Sequence, residues 1–127
     1  MNAYLENMVM TSNPVRLVIL LYEKAIACLE SALDISRKRE QSPEELKEKL
    51  ENLGRAQEII TVLDSTLDLE KGGEIAKNLR EIYQALSNDL VRLSLQDDPE
   101  TLEKMIKVLW ELKSAWEDVE KEHYGKP

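Results

Sequence analysis

The run Ile59-Ile60-Thr61-Val62-Leu63-Asp64-Ser65-Thr66-Leu67-Asp68-Leu69-Glu70-Lys71-Gly72-Gly73-Glu74-Ile75-Ala76-Lys77-Asn78-Leu79-Arg80-Glu81-Ile82-Tyr83 decides the fold. It reads as the end of one helix, a sharp stop, and the start of another. Two adjacent glycines enter the left-handed conformation that closes a helix, which a residue with a side chain adopts only at a cost. The flanking helices then fold back on each other as a hairpin. The same run carries more apolar surface than one helix face consumes, and that surplus is the first functional signal in the chain.

Working outward, three prolines mark the other helix starts. Pro14, Pro43 and Pro99 each follow a capping residue, Asn13, Ser42 and Asp98. Proline suits a first helical position because the amide hydrogen it lacks has no partner there. Ser42-Pro43-Glu44-Glu45 further predicts a capping box, the hydroxyl and Glu45 being three apart. These punctuation marks predict helices over about 14–39, from 43 to the glycine turn, over 73–96 and over 99–122. Such helices are about 37 Å long at 1.5 Å per residue. Short connections make sequential neighbours antiparallel. The expected fold is all-α, an antiparallel up-down-up-down four-helix bundle with an N-terminal arm or short extra helix over residues 1–11. Residues 1–127 are read as one domain, and His123 to Pro127 as a mobile polar tail.

The apolar residues recur at three- and four-residue spacing, as amphipathic helices require. Val18, Leu21, Tyr22, Ala25, Ile26, Leu29, Ala32 and Leu33 give the first helix its core face. Leu46, Leu50, Leu53, Ala56, Gln57, Ile60, Leu63 and Leu67 do so in the second. Ile75, Ala76, Leu79, Ile82, Tyr83, Leu86, Leu90 and Leu93 follow in the third, and Leu102, Met105, Ile106, Leu109, Leu112 and Trp116 in the fourth. Leu17, Ile19 and Leu20 fall outside the first stripe. Ile59, Val62, Thr66 and Leu69 form a second stripe near the glycine turn, close to the start of the first helix in hairpin geometry. Contiguous exposed apolar patches usually mark interfaces.

Composition narrows the function classes. With 25 acidic and 17 basic residues the formal net charge is -8, so phosphate backbones and anionic lipid surfaces are not attracted. No nucleic acid and no membrane are expected as partners. The longest apolar run, Leu17 to Tyr22, is far short of the roughly 20 residues that span a bilayer. The absence of a basic segment followed by an apolar run predicts no signal peptide. The lone Cys28 fits a reducing compartment, and a cytoplasmic protein is expected. Glu120 and His123 form a literal Glu-x-x-His, but a di-metal site needs two such pairs plus two further carboxylates. Cys28 has no base to activate it, and Gly72-Gly73 lacks the spaced glycines and lysine of a phosphate loop. Neither a cofactor, a metal nor a catalytic centre is expected.

A protein partner is what remains. A groove at that end of the hairpin suits an amphipathic helix or an extended apolar segment. The residues expected to bind it are Leu17, Ile19, Leu20, Ile59, Val62, Thr66, Leu69 and Ile75. Tyr4, Leu5 and Met8 of the arm join them, as a cover that rests on the groove until a partner displaces it. A scaffolding bundle that self-associates through the same patch is the alternative. Either a monomer or a weak homo-oligomer is compatible with this surface.

Several stretches taken together resemble a known family. They are Tyr4, Thr11-Ser12-Asn13-Pro14, Leu17, Leu20-Leu21-Tyr22-Glu23-Lys24-Ala25, Ala56-Gln57-Glu58-Ile59-Ile60, Leu67-Asp68, Lys71-Gly72-Gly73-Glu74-Ile75-Ala76, Asn78-Leu79, Ile82-Tyr83, Asp98-Pro99 and Ala115-Trp116. In order and spacing, over nearly the whole chain, they are similar to the FliS family of flagellin-specific export chaperones. Two positions depart from that pattern: Ala85 stands where a second aromatic is usual, and Ser94 where Asn is usual. The resemblance implies an antiparallel helical bundle in the bacterial cytosol that binds the C-terminal segment of flagellin. It also implies that the protein prevents premature polymerisation and accompanies flagellin to the type III export gate, whose components are a further class of partner. No cofactor belongs to that role.

Overall fold

The computed structural model describes residues 13–125. Expectations about the arm, including Tyr4, Leu5 and Met8, and about Lys126 and Pro127 lie outside the described residues. Those described form four helices with no strand among them: α1 (Pro14–Ser36), α2 (Pro43–Ser65), α3 (Gly73–Leu95) and α4 (Pro99–Tyr124). No helix among them is long and apolar enough to cross a membrane.

The three proline starts are built as the sequence implies. The Asn13 side chain accepts from the Arg16 amide at 2.7 Å, and Asp98 accepts from the Thr101 amide at 3.3 Å. At Ser42 both halves of the capping box form: the Glu45 amide donates to the Ser42 hydroxyl at 3.1 Å, and the Ser42 amide to the Glu45 carboxylate at 2.9 Å. Each such cap is worth about 1 kcal/mol.

The helix ends differ from expectation. α1 stops at Ser36, short of Arg39, where the Lys38 amide turns to the Ile35 carbonyl. Arg37 then pairs with Glu103 and Lys38 with Glu45. α2 stops at Ser65, well before the glycines. The Ser65 and Thr66 hydroxyls donate back to the Val62 and Leu63 carbonyls, which competes with continued helix. The chain then turns on Asp68, whose carboxylate accepts from the amides of Glu70 and Lys71 at 3.1 and 3.0 Å. Gly73 does take a left-handed backbone, φ 55°, but it opens α3 instead of closing α2. Gly72 is needed for space: a Cβ there would lie 2.5 Å from the Ala76 Cβ and 2.7 Å from the Asp68 carbonyl oxygen. At the far end α4 carries His123 and Tyr124 as its last helical residues, so the expected tail is partly helix.

α1 is the most enclosed helix, packed against both α2 and α4, while α3 packs on α2. Arg16 at the start of α1 pairs with Glu120 near the end of α4, and Ser36 at the end of α1 donates to Asp97 just before α4 begins. Tyr22, Leu29, Ile60, Leu63, Leu102, Met105 and Leu109 are fully buried, each worth about 1.5–3 kcal/mol relative to exposure. Having neighbours on two sides explains a correction: Ile19, expected at the surface, is fully buried. α2 is rotated relative to its expected stripe. Its inner line is Lys49, Asn52, Leu53, Ala56, Ile59, Ile60 and Leu63, while Leu46 and Leu50 are exposed. Lys49 turns inward because Asp97 waits 3.2 Å away, a partner in a distant connection that apolar periodicity cannot register. The same rotation draws Ile59 into the core.

Candidate functional site

At the end of the molecule that holds the 66–72 connection lies a hollow of about 610 Å³. Three segments make it. Pro14, Val15, Leu17 and Val18 come from the first turns of α1; Thr66, Leu67, Asp68, Lys71 and Gly72 from the connection; and Ile75, Ala76, Leu79 and Tyr83 from α3. Trp116 of α4 closes the wall. The floor is buried, with Ala76, Leu79 and Tyr83 each under a tenth exposed, whereas Ile75 on the rim is 73% exposed. A large aliphatic side chain left that open needs a partner to be removed from water.

The floor is held by hydrogen bonds between aromatic side chains. The Trp116 indole N–H donates to the Tyr22 hydroxyl at 3.1 Å. That oxygen is also hydrogen-bonded to the Tyr83 hydroxyl. Burial pushes both phenols above their ordinary 10.0, and Tyr83 is raised further by Tyr22 and by the Asp64 carboxylate. The floor is therefore uncharged at physiological pH, with its polar atoms turned on each other. Charge appears only on the rim, at Asp68 and Lys71.

The residues singled out from sequence divide into four groups. Leu17, Thr66 and Ile75 line the hollow. Ile19 and Ile59 are sealed in the core and do not reach the surface. Leu20 is half-buried, while Val62 and Leu69 are exposed at 40% and 44% but stand outside the hollow. Tyr4, Leu5 and Met8 lie outside the described residues. Sequence reasoning assigned Val18, Leu67, Ala76, Leu79, Tyr83 and Trp116 to the core alone. Periodicity marks these residues as inward-facing, but at the end of a bundle an inward residue need not be covered. The one usable signal was the pairing of Gly72-Gly73 with Ile75, a turn that brings apolar residues to the helix start.

The described residues that line this hollow include no His or Cys. Cys28 is buried elsewhere and burial raises its thiol above the ordinary value, which keeps it protonated. No cluster of three or more His, Cys, Asp or Glu side chains able to hold a metal occurs among the described residues. What the surface can do is take up several apolar side chains of another chain.

Comparison with known proteins agrees with the resemblance. The family described as flagellar protein FliS matches residues 1–123. The flagellar secretion chaperone FliSB of Pseudomonas aeruginosa is 35% identical over 115 residues, which is 91% of this chain and 87% of that protein. FliS of Salmonella typhimurium is 31% identical over 115 residues, 90% of this chain and 82% of the relative. FliS of Vibrio cholerae is 39% identical over 75 residues, spanning 59% of this chain and 55% of the Vibrio cholerae protein.

Proposed function

The chain belongs to the FliS family, whose relatives are named flagellar secretion chaperones, and from that premise we propose that it is a bacterial cytosolic chaperone for the C-terminal segment of flagellin. In this reading the four helices form an up-down-up-down bundle and a single domain. The segment arrives unfolded, with apolar faces that would otherwise join neighbouring subunits, and lays them into the hollow. Its ordering offsets part of the contact energy, roughly 2–5 kcal/mol for coupled folding and binding. Affinity stays moderate, so that the client is released at the type III export gate.

The observation that carries the reading is the open hollow itself, with its buried aromatic floor and its exposed Ile75 rim. The arm belongs to the same mechanism: Tyr4, Leu5 and Met8 cover the hollow in the free protein and leave it when the client binds. In this reading the binding surface comprises Leu17, Thr66 and Ile75, which line the hollow, with Val62, Leu69 and Leu20 at its margins.

Sedimentation of the purified chain with and without a peptide of the flagellin C-terminus tests the function. A monomer that takes up one peptide supports the chaperone. A stable dimer that ignores the peptide supports self-association through this surface instead.

A further inference from the structure

The two aromatic side chains of the hollow, Trp116 in its wall and Tyr83 in its floor, come from α4 and α3. These two helices do little to hold each other. α3 packs on α2 and α4 on α1, more than α3 and α4 on each other. Their separation across the hollow is therefore set through α1 and α2, except where a single group reaches both.

Tyr22 of α1 is such a group. Its hydroxyl accepts from the Trp116 indole N–H at 3.1 Å and is hydrogen-bonded to the Tyr83 hydroxyl. Tyr22 is fully buried and does not line the hollow, so a segment lying there does not touch it. The oxygen adds little to apolar packing, since a buried hydroxyl is a cost unless it is hydrogen-bonded. What it adds is direction. A hydrogen bond constrains distance and angle together, and the indole has a single donor. Engaging that donor fixes which way the Trp116 ring faces. Trp116 is only partly buried against the core, so packing alone leaves its ring less constrained than the residues beneath it. The Arg16–Glu120 ion pair separately holds this end of α4 on α1. Loss of the Tyr22 oxygen thus releases the ring and keeps the bundle closed.

We propose that Tyr22 is a positioning residue of the client site: from behind the hollow its hydroxyl sets the Trp116 wall and the Tyr83 floor in their binding arrangement before any segment arrives. The proposal rests on the chaperone reading above and adds the residue that fixes the shape of that surface. Side chains ordered in advance need not be frozen on binding, and such freezing subtracts from affinity. With the oxygen removed, Trp116 turns among orientations of which only one forms the wall, and α3 and α4 lose a common tie.

Titration calorimetry of the full chain with a peptide of the flagellin C-terminus, run well below the thermal midpoint, tests this. Tyr22→Phe should weaken binding about tenfold, the cost of ordering two aromatic side chains anew. Tyr83→Phe should weaken it less, because the Trp116 bond survives. Asp97→Ala loosens the opposite end of the bundle and should bind as the parent does. If Tyr22→Phe does not fold, replacing Trp116 with benzothienylalanine, an isostere carrying sulfur in place of the N–H, removes the same bond and should weaken binding alike. A spectroscopic readout separates orientation from stability. The chain has two tryptophans, and Trp110 is exposed outside the hollow, so Trp110→Phe leaves Trp116 to be read alone. In that background acrylamide should quench Trp116 of the free protein more strongly in Tyr22→Phe and no more strongly in Asp97→Ala. Parental affinity or unchanged quenching in Tyr22→Phe, or an equal loss of affinity in Asp97→Ala, would overturn the positioning role and leave the chaperone reading standing. A parent chain that takes up no peptide would overturn both.

Discussion

Trp116 and Tyr22 are joined across 94 residues of chain by a 3.1 Å hydrogen bond, indole N–H to phenol oxygen, beneath the hollow. Because Tyr22 also meets the Tyr83 hydroxyl, one oxygen ties α1 to both α3 and α4. Removing it leaves the Trp116 indole N–H and the Tyr83 hydroxyl without their shared partner, whereas removing the Tyr83 hydroxyl leaves the Trp116 bond intact. Tyr22→Phe should therefore destabilise by roughly 1–3 kcal/mol, and Tyr83→Phe by less. Urea unfolding measures both, and an equal or reversed cost would refute the branching arrangement. The pH dependence has a definite sign. Both phenols are raised above 10.0 in the folded chain, by burial first. Their contribution is whole below that value and is lost as pH climbs above it, because only the unfolded chain then ionises. Stability should fall above pH 10 more steeply in the parent than in a Tyr22→Phe, Tyr83→Phe double variant.

At the opposite end, Asp97 gathers Ser36, Gln41 and Lys49. Burial tends to raise its carboxyl, but those three partners outweigh it and hold the group below the ordinary range. The two members of the ion pair are unequal: the Lys49 side chain is 8% exposed and that of Asp97 is 37%. Taking away Asp97 strands a buried ammonium, while taking away Lys49 leaves a carboxylate that still has water and two donors. Asp97→Ala should cost more than Lys49→Met, which replaces the charge by apolar volume. Solvent at Asp97 screens the pair and keeps the difference below that of a fully buried one. Thermal midpoints of the two variants decide it.

Acid sensitivity should centre on the start of α2. Glu45 is held down to about 2, first by Lys38 and then by the Ser42 amide. Its contribution is present above the ordinary carboxylate value and disappears as pH falls toward 2. Substituting Glu45→Gln should flatten the stability profile over that interval and leave the profile near neutrality with the same slope. Denaturant midpoints measured from pH 7 to pH 2 provide the check.

The arm gives a separate test of mechanism. If Tyr4, Leu5 and Met8 compete with the client for the hollow, a chain lacking residues 1–10 binds flagellin peptide without first displacing them. Affinity should then rise, with the change appearing in titration calorimetry of the two chains side by side. Identical affinities would remove the arm from the mechanism.

How much of this was legible depended on whether the determining contact was local. Asn13-Pro14, Ser42-Pro43 and Asp98-Pro99 fixed three helix starts because a cap is made within four residues. The rotation of α2 was not legible, since Lys49 goes inward for Asp97, a residue of another connection. Apolar excess near the glycines pointed to the end of the molecule that holds the hollow, yet it could not separate Ile75 on a rim from Ile59 inside. That distinction depends on whether a neighbouring helix arrives, and α1 and α2 do so for each other. That α3 packs on α2 and α4 on α1, more than α3 and α4 on each other, left no periodic trace either, because Ile82, Val108 and Leu112 would read the same in both arrangements.

The difference between Ile59 and Ile75 supplies the sharpest prediction about the site. Ile59 is 9% exposed and Ile75 is 73% exposed, so an aspartate has opposite meanings at the two positions. At Ile59 it places an unpaired carboxylate in the core, which costs several kcal/mol or forces protonation, and the expected outcome is a large drop in thermal midpoint. At Ile75 the carboxylate stays in water, and the first turn of a helix favours a negative charge, so the free protein keeps its stability. Only the bound state suffers there, because the client would have to bury that carboxylate in an apolar hollow. Ile75→Asp should thus abolish or greatly weaken peptide binding with the midpoint almost unmoved, and Val62→Asp, exposed but outside the hollow, should weaken it less. Calorimetric titration paired with thermal unfolding reads both quantities. Undiminished binding by Ile75→Asp would remove the hollow from the mechanism.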